Sequence, residues 1–330
     1  MADWLYEAGI GEQRAILVHD GRIIGCEIDR DSDGPRAGAV LDARLMTIDP
    51  ATGRAQVQLD APAAPVATLA RPPRGLSIGA TLRVRILRSA LREAHRAKPA
   101  RAETVAADTA LTPGPTCTER AMARGGRIHL CTATGPDRFE EAGWSELTDT
   151  ARTGHWPFAG GALDISPTPA MTLIDVDGGG DPATLALAAA AAAAQAIGAL
   201  DIGGSIGIDF PTVANRSVRQ QLGDVIDAQL EQPFERTAVN GFGFLQIVRR
   251  KRGPSLIERE RFAPDERDAL RVLRVAERAQ GAGPLTLTVR AAVAALLDGN
   301  PVWRAALQAR TGRAVVVRID PSLKGCGHAQ

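Results

Sequence analysis

Two aspartates, each closing a short apolar run, are the residues of this sequence best suited to chemistry. Ile174-Asp175-Val176-Asp177-Gly178-Gly179-Gly180 and Ile206-Gly207-Ile208-Asp209-Phe210 both set an acid after β-branched residues and beside glycine. Such runs predict buried strands that end at the acid. Between them Asp181 can cap a helix, Pro182 suits its first position, and an alanine-rich run continues to about Leu200. Gly203-Gly204 ends it. Strand, helix, strand predicts parallel neighbours joined by a right-handed crossover. If the strands are neighbours, Asp175 and Asp209 emerge at the same sheet edge. Two carboxylates meeting there repel each other unless a cation sits between them. A hard divalent ion such as Mg2+, held by one or two carboxylates plus water and substrate phosphate, is the natural occupant. The plainer reading is that each Asp ends a strand and caps the next turn.

The elements that must position this pair belong to a chain of 330 residues, long enough for two or three domains. A formal net charge of +1 gives no global sign of a nucleic-acid binder. Cys26, Cys117, Cys131 and Cys326 are scattered without a CxxC pair, which excludes a zinc ribbon and suits reduced thiols in a cytoplasmic protein. Cys326-Gly327-His328 has ligand-type residues, but a lone pair of this kind in a tail is read as carrying no metal. The N-terminus has no basic patch followed by an apolar core, so no signal peptide is expected. The run Leu185 to Leu200 is shorter than the roughly 20 apolar residues of a membrane span. It is read as a helix packed on a sheet.

In chain order, Arg14–His19 and Arg22–Asp29 read as a hairpin around Asp20-Gly21. A lone hairpin is not stable, so it must join a sheet built elsewhere. Short runs from residue 36 to about 92, including Gly75–Gly79, suggest a small β-barrel. Its last strand alternates arginine with apolar residues, so Arg83, Arg85 and Arg88 are expected on one face. Arg71, Arg74, Arg92, Arg96, Lys98 and Arg101 extend a local basic field that could track a phosphate backbone. The plainer reading is a charged edge strand that blocks aggregation. No Phe, Trp or Tyr occurs between Tyr6 and Phe139, so the barrel offers no platform for base stacking. Residues 98–116 read as a linker and 136–150 as one helix. After Asp209, an amphipathic helix from Asn215 carries Arg216 and Arg219, and a later strand ends in Arg249-Arg250-Lys251-Arg252. These arginines are candidates for phosphate contacts.

Gly160–Ile165 through Asp177, then Leu200–Phe210, resemble the catalytic core of the ribonuclease E/G family. Gly241-Phe242-Gly243-Phe244-Leu245-Gln246 and Pro254-Ser255-Leu256 resemble the family's segment downstream of that core, and residues 1–95 resemble its opening strands and inserted S1 domain. The resemblance implies a multidomain α+β and α/β chain: RNase H-like and DNase I-like parts with an inserted S1/OB-type β-barrel. The parts are then 1–35 (hairpin joining the core sheet), 36–97 (barrel), 98–116 (linker), 117–165 (rest of the RNase H-like part) and 166–330 (catalytic domain). It implies an endoribonuclease that cleaves single-stranded RNA with Mg2+, or Mn2+ in its place, to leave 5′-phosphate and 3′-hydroxyl ends. Asp175 and Asp209 match the metal-binding carboxylates. Asp177 stands where the family usually has an asparagine that orients the pair and the attacking water. Pro169 replaces a usual glutamate, and Phe210 is followed by Pro211-Thr212-Val213 where the family often has a second acid. Ile257-Glu258-Arg259-Glu260 replaces a zinc-binding Cys-Pro-x-Cys, so neither zinc nor a zinc-linked dimer is expected, and other oligomers stay open. The segment between barrel and core is too short for the family's full 5′-end sensor. The rival reading is an RNA-binding or scaffold protein on the same fold without catalysis.

Overall fold

Asp3–Ala8, Glu12–His19 and Arg22–Arg30 form an antiparallel meander, and Ile128–Cys131 pairs parallel to the first of them. The structure is a computed structural model and describes residues 2–73, 75–94 and 96–330. The expected hairpin thus has a third strand, Asp3–Ala8. It does not join the sheet that carries the acids. It builds its own four-stranded sheet with a strand from beyond the barrel. Burial of Trp4, Leu5, Ile16 and Cys26 explains the separate layer.

The barrel is closed by Val40–Ile48, Ala55–Leu59, Val66–Leu69, Thr81–Arg88 and Ala100–Thr104. This is compatible with an inserted OB-type barrel. Two expectations need correction. Residues 98–104 are not linker, because Ala100–Thr104 closes the barrel between two other strands and buries Ala100 and Ala102. Small alanine side chains hid that alternation. Gly75–Gly79 is turn, not strand. Arg74 lies outside the described residues.

A six-stranded sheet holds the acids. Its order is His155–Phe158, Gly161–Pro167, Thr172–Gly178, Gly204–Asp209, Phe244–Arg249, Phe234–Arg236. The expected boundary at 165/166 therefore moves back to about 154, since the first two strands lie N-terminal to it. The helix expected over 136–150 is two helices, Arg138–Glu141 and Trp144–Thr153, separated by Gly143. Pro182–Ala199, capped by Asp181, connects the two parallel acid-bearing strands. By length and composition it could cross a membrane, but most of its alanines are buried against the sheet. Alanine lets a helix sit close to a sheet without side-chain crowding. Arg216–Gln229 packs beside it. Both helices cover one face, and Ile174, Ile206, Ile208, Leu245 and Ile247 point into it.

Residues beyond 263 form a further unit with its own core, not part of the acid-bearing sheet. Pro264–Glu277, Ala291–Gly299 and Pro301–Thr311 pack with Leu285–Val289, Val315–Ile319 and His328–Ala329. A seam of buried ion pairs joins Pro264–Glu277, the preceding helix Leu256–Phe262 and the meander. Arg14 meets Glu7 at 2.6 Å, Arg30 meets Glu12 at 2.7 Å, and Arg274 meets Glu12 at 2.7 Å. Arg259 grips both Asp33 oxygens at 2.8 Å. Burial pushes the Glu12 carboxyl up, but Arg30, Arg274 and Arg14 outweigh it and hold it at about 2. Arg274, pushed down by burial and by Arg14, stands at about 10 and so stays charged across the acid range.

Candidate metal and RNA edge

Alternation decides which side chains leave the sheet on its helix-free face. Along Thr172–Gly178, Ile174 points inward, while Asp175 and Asp177 are exposed. Along Gly204–Asp209, Ile206 and Ile208 are buried and Asp209 is exposed at the C-terminal end. The two strands pair in parallel with Ile174 opposite Ile208 and Asp175 opposite Asp209. The carboxylates are therefore register partners on adjacent strands, about 5 Å apart between backbones. Asp177 lies two residues further out on the same face. No salt bridge or hydrogen bond to a side chain satisfies Asp175, Asp177 or Asp209 among the described residues.

The register brings in residues that sequence reasoning passed over. Asp164 lies opposite Asp175 on the other side, and His155 lies opposite Asp164. His155 Nδ1 is 3.3 Å from Asp164 Oδ1. One row, His155, Asp164, Asp175, Asp209, thus crosses four strands. The signal was present: Leu163 and Ile165 alternate about Asp164, and the tight turn at 168–171 folds that strand back onto Asp175. Among the described residues, no group of three or more His, Cys, Asp and Glu side chains converges closely enough to hold a metal. The site is a pair with flanking acids, not a closed cage.

Phe244 lies opposite Asp209 on the next strand. Its ring and Met171 lie over Gly207, where a built Cβ would come within 2.5 Å of the Phe244 ring. Beyond it, Asn240–Gly243 turns back beside Phe210. Asn240 Oδ1 accepts from the backbone N–H groups of Phe242 and Phe244, and Phe210 N–H donates to Gly243 O.

The expected arginines divide. Arg83 pairs with Asp42 and donates to Thr109 O, and Arg85 pairs with Glu103. Arg88 shares their face, because a bulge sets it opposite Arg101, two residues from Glu103, the partner of Arg85. It donates to Ser89 O and Pro99 O, and is pushed below its usual range by burial. Arg219 is spent on the carbonyls of Val213 and Ala214, in the loop after Asp209. Arg216 is exposed at the same edge as the acids. Arg249-Arg250-Lys251-Arg252 lies at the other edge. Gly204 pairs with Arg249 and Asp209 with Phe244, so five residues, about 17 Å of strand, separate the cluster from Asp209. It cannot neutralise charge at the acid pair. Arg249 donates to Ile202 O and Lys251 pairs with Glu258 at 2.6 Å, while Arg250 and Arg252 are exposed. The barrel docks at that same edge: Ser89 N–H donates to Arg252 O, and Lys98 Nζ to Pro169 O. A hollow of about 1000 Å³, lined by Trp156 and Phe158, opens on the sheet's other face, away from the acids.

The sheet's helix-free face thus carries Asp175, Asp177 and Asp209 without a cationic partner among the described residues, and the barrel docks at its opposite edge. Residues 116–252 match the model of the Ribonuclease E/G family, which supports assigning the chain to that family. The matched segment contains the whole acid row. No curated protein sequence matches the chain. The family suggests endoribonuclease activity in RNA processing.

Proposed function

We propose that this chain is a Mg2+-dependent endoribonuclease that hydrolyses single-stranded RNA to 5′-phosphate and 3′-hydroxyl ends. The observation that carries the reading is the register pairing of Asp175 with Asp209, both exposed and, among the described residues, without a cationic partner. Two such carboxylates fit one hard divalent ion with water and phosphate completing its shell. When bound, that ion supplies charge neutralisation at the phosphoryl group and a more acidic water. Asp175 and Asp209 hold and orient it. Asp177, with acceptors only, can receive a proton or hydrogen bond from water at the outer side of the pair. Arg216 is a cation at this edge that is open to meet charge developing on phosphate. Arg250 and Arg252 grip the backbone further along, at the edge shared with the barrel. On this reading the four-stranded sheet is the RNase H-like part and the six-stranded sheet the DNase I-like part.

The replaced acid at Pro169, the Pro211-Thr212 change after Phe210 and the lack of aromatics in the barrel favour a second reading, RNA binding without cleavage. Cleavage of labelled single-stranded RNA with Mg2+, with EDTA and with Asp209→Asn separates the two. Activity lost in both latter cases, by about 10³-fold for the substitution, supports the enzyme. A wild-type protein that binds RNA in a salt-sensitive way but never cleaves it supports the second reading.

A further inference from the structure

We propose that Phe242 is the base-stacking contact of the acid edge: a nucleobase beside the scissile phosphate stacks on its ring. This rests on the ribonuclease reading and names how that site holds its substrate. Phe242 is 84% exposed, the most exposed large apolar side chain among the described residues. A single exposed apolar residue is ordinary on a protein surface. Two facts set this one apart.

The first is position. Phe244 faces Asp209 across the sheet, and Phe242 sits two residues before it in the turn at the acid edge, at most about 7 Å of chain away. A nucleotide whose phosphate meets the carboxylate pair places a neighbouring base within that span. The second is rigidity. Phe242 N–H donates to Asn240 Oδ1 at 2.9 Å, and Phe242 O accepts from Thr212 Oγ1 at 3.3 Å. Gly243 has φ +96°, and a built Cβ there would stand 2.2 Å from Phe210 O, so only glycine closes this loop. The ring is thus mounted on a loop fastened to Phe210 and Thr212, just after Asp209, and it is held out in solvent rather than folded in.

Charge explains why an aromatic grip is needed here. Asp164, Asp175, Asp177 and Asp209 share this face. Of Arg83, Arg85, Arg88, Arg216, Arg219, Arg249, Arg250 and Arg252, all but Arg216 are engaged or lie at the far edge. Apart from the bound ion and Arg216, the protein offers RNA little charge attraction close to the pair. A ring binds any base through its π-face, whatever the local potential. The barrel, empty of aromatics from Tyr6 to Phe139, cannot supply that contact.

The test is the affinity of fluorescent single-stranded RNA, read by anisotropy with Ca2+ in place of Mg2+, for wild type, Phe242→Ala and Phe242→Trp. A second RNA set carries one abasic nucleotide at each position in turn. Loss of a stacked base by alanine substitution corresponds to roughly 5- to 150-fold weaker binding. That loss, restored by Phe242→Trp and matched in wild type by a single abasic position that costs Phe242→Ala nothing further, supports the proposal. Equal affinity of wild type and Phe242→Ala overturns it, even if wild type cleaves RNA with Mg2+. A wild type that neither binds nor cleaves RNA overturns the ribonuclease reading itself.

Discussion

The acid edge and the buried seam use the same side chains in opposite ways. In the seam each carboxylate is matched: buried Glu7 with Arg14, buried Glu12 with Arg30 and Arg274, and half-buried Asp33 with Arg259. At the edge, Asp175, Asp177 and Asp209 are exposed and, among the described residues, unmatched. A buried charge must be paired, because desolvation costs several kcal/mol. An exposed charge can stay unpaired, but clustering three on one face costs repulsion with no return in folding. Charge that stabilises the fold is therefore neutralised within the protein. Charge left open is available to something outside it.

Substitutions should separate the two regions. The largest effect is expected at the edge: Asp209→Asn should abolish cleavage while leaving the melting temperature unchanged or slightly raised, since it removes a repelling charge. A marked drop in melting temperature by calorimetry would place Asp209 with the structural acids instead. Next is the seam. Glu12→Gln leaves Arg30 and Arg274 short of a buried counter-charge and should cost about 3–5 kcal/mol of stability. RNA cleavage per folded molecule at low temperature should stay at the wild-type level; urea titration and an active-site count together check this.

A third effect is the pH dependence of the seam. Glu12 is held at about 2, below its ordinary 4.5. Its contribution is full above the unfolded value and is lost as pH falls through the folded one. Stability should fall by about 3 kcal/mol between pH 5 and 2 from this group. Denaturation curves at pH 6, 4 and 2.5 should show that slope in wild type and a shallower one in Glu12→Gln. The smallest effect is expected for Arg250→Ala with Arg252→Ala. RNA affinity should weaken and its salt slope drop by about 2, but kcat at saturating RNA should change less than about twofold. A tenfold fall in kcat would mean that the two edges do not act separately.

Much of the acid strand–helix–strand unit was legible from residue types alone. Asp181-Pro182 starts the helix, glycine ends it, and the apolar runs on either side have strand length. The barrel strands with Val, Leu and Ile in alternation were legible too. Ala100–Thr104 was not, because alanine and threonine give little contrast between the inside and outside of a strand. Asp3–Ala8 and Leu285–Val289 were missed for another reason: each becomes a strand only beside a partner far along the chain.

The sequence by itself determined that two acids end two strands joined by one helix, since capping, turn chemistry and periodicity are local properties. It also determined the absence of aromatics from the barrel. Only the tertiary structure decided what those residues face. Register set Asp175 against Asp209, brought Asp164 and His155 into the same row, and placed Arg249–Arg252 at the opposite edge. Pairing with Asp42 and Glu103 took Arg83 and Arg85 out of the basic field. These outcomes depend on which strands become neighbours, and neighbours are chosen by the burial of whole faces, which no single stretch of sequence contains.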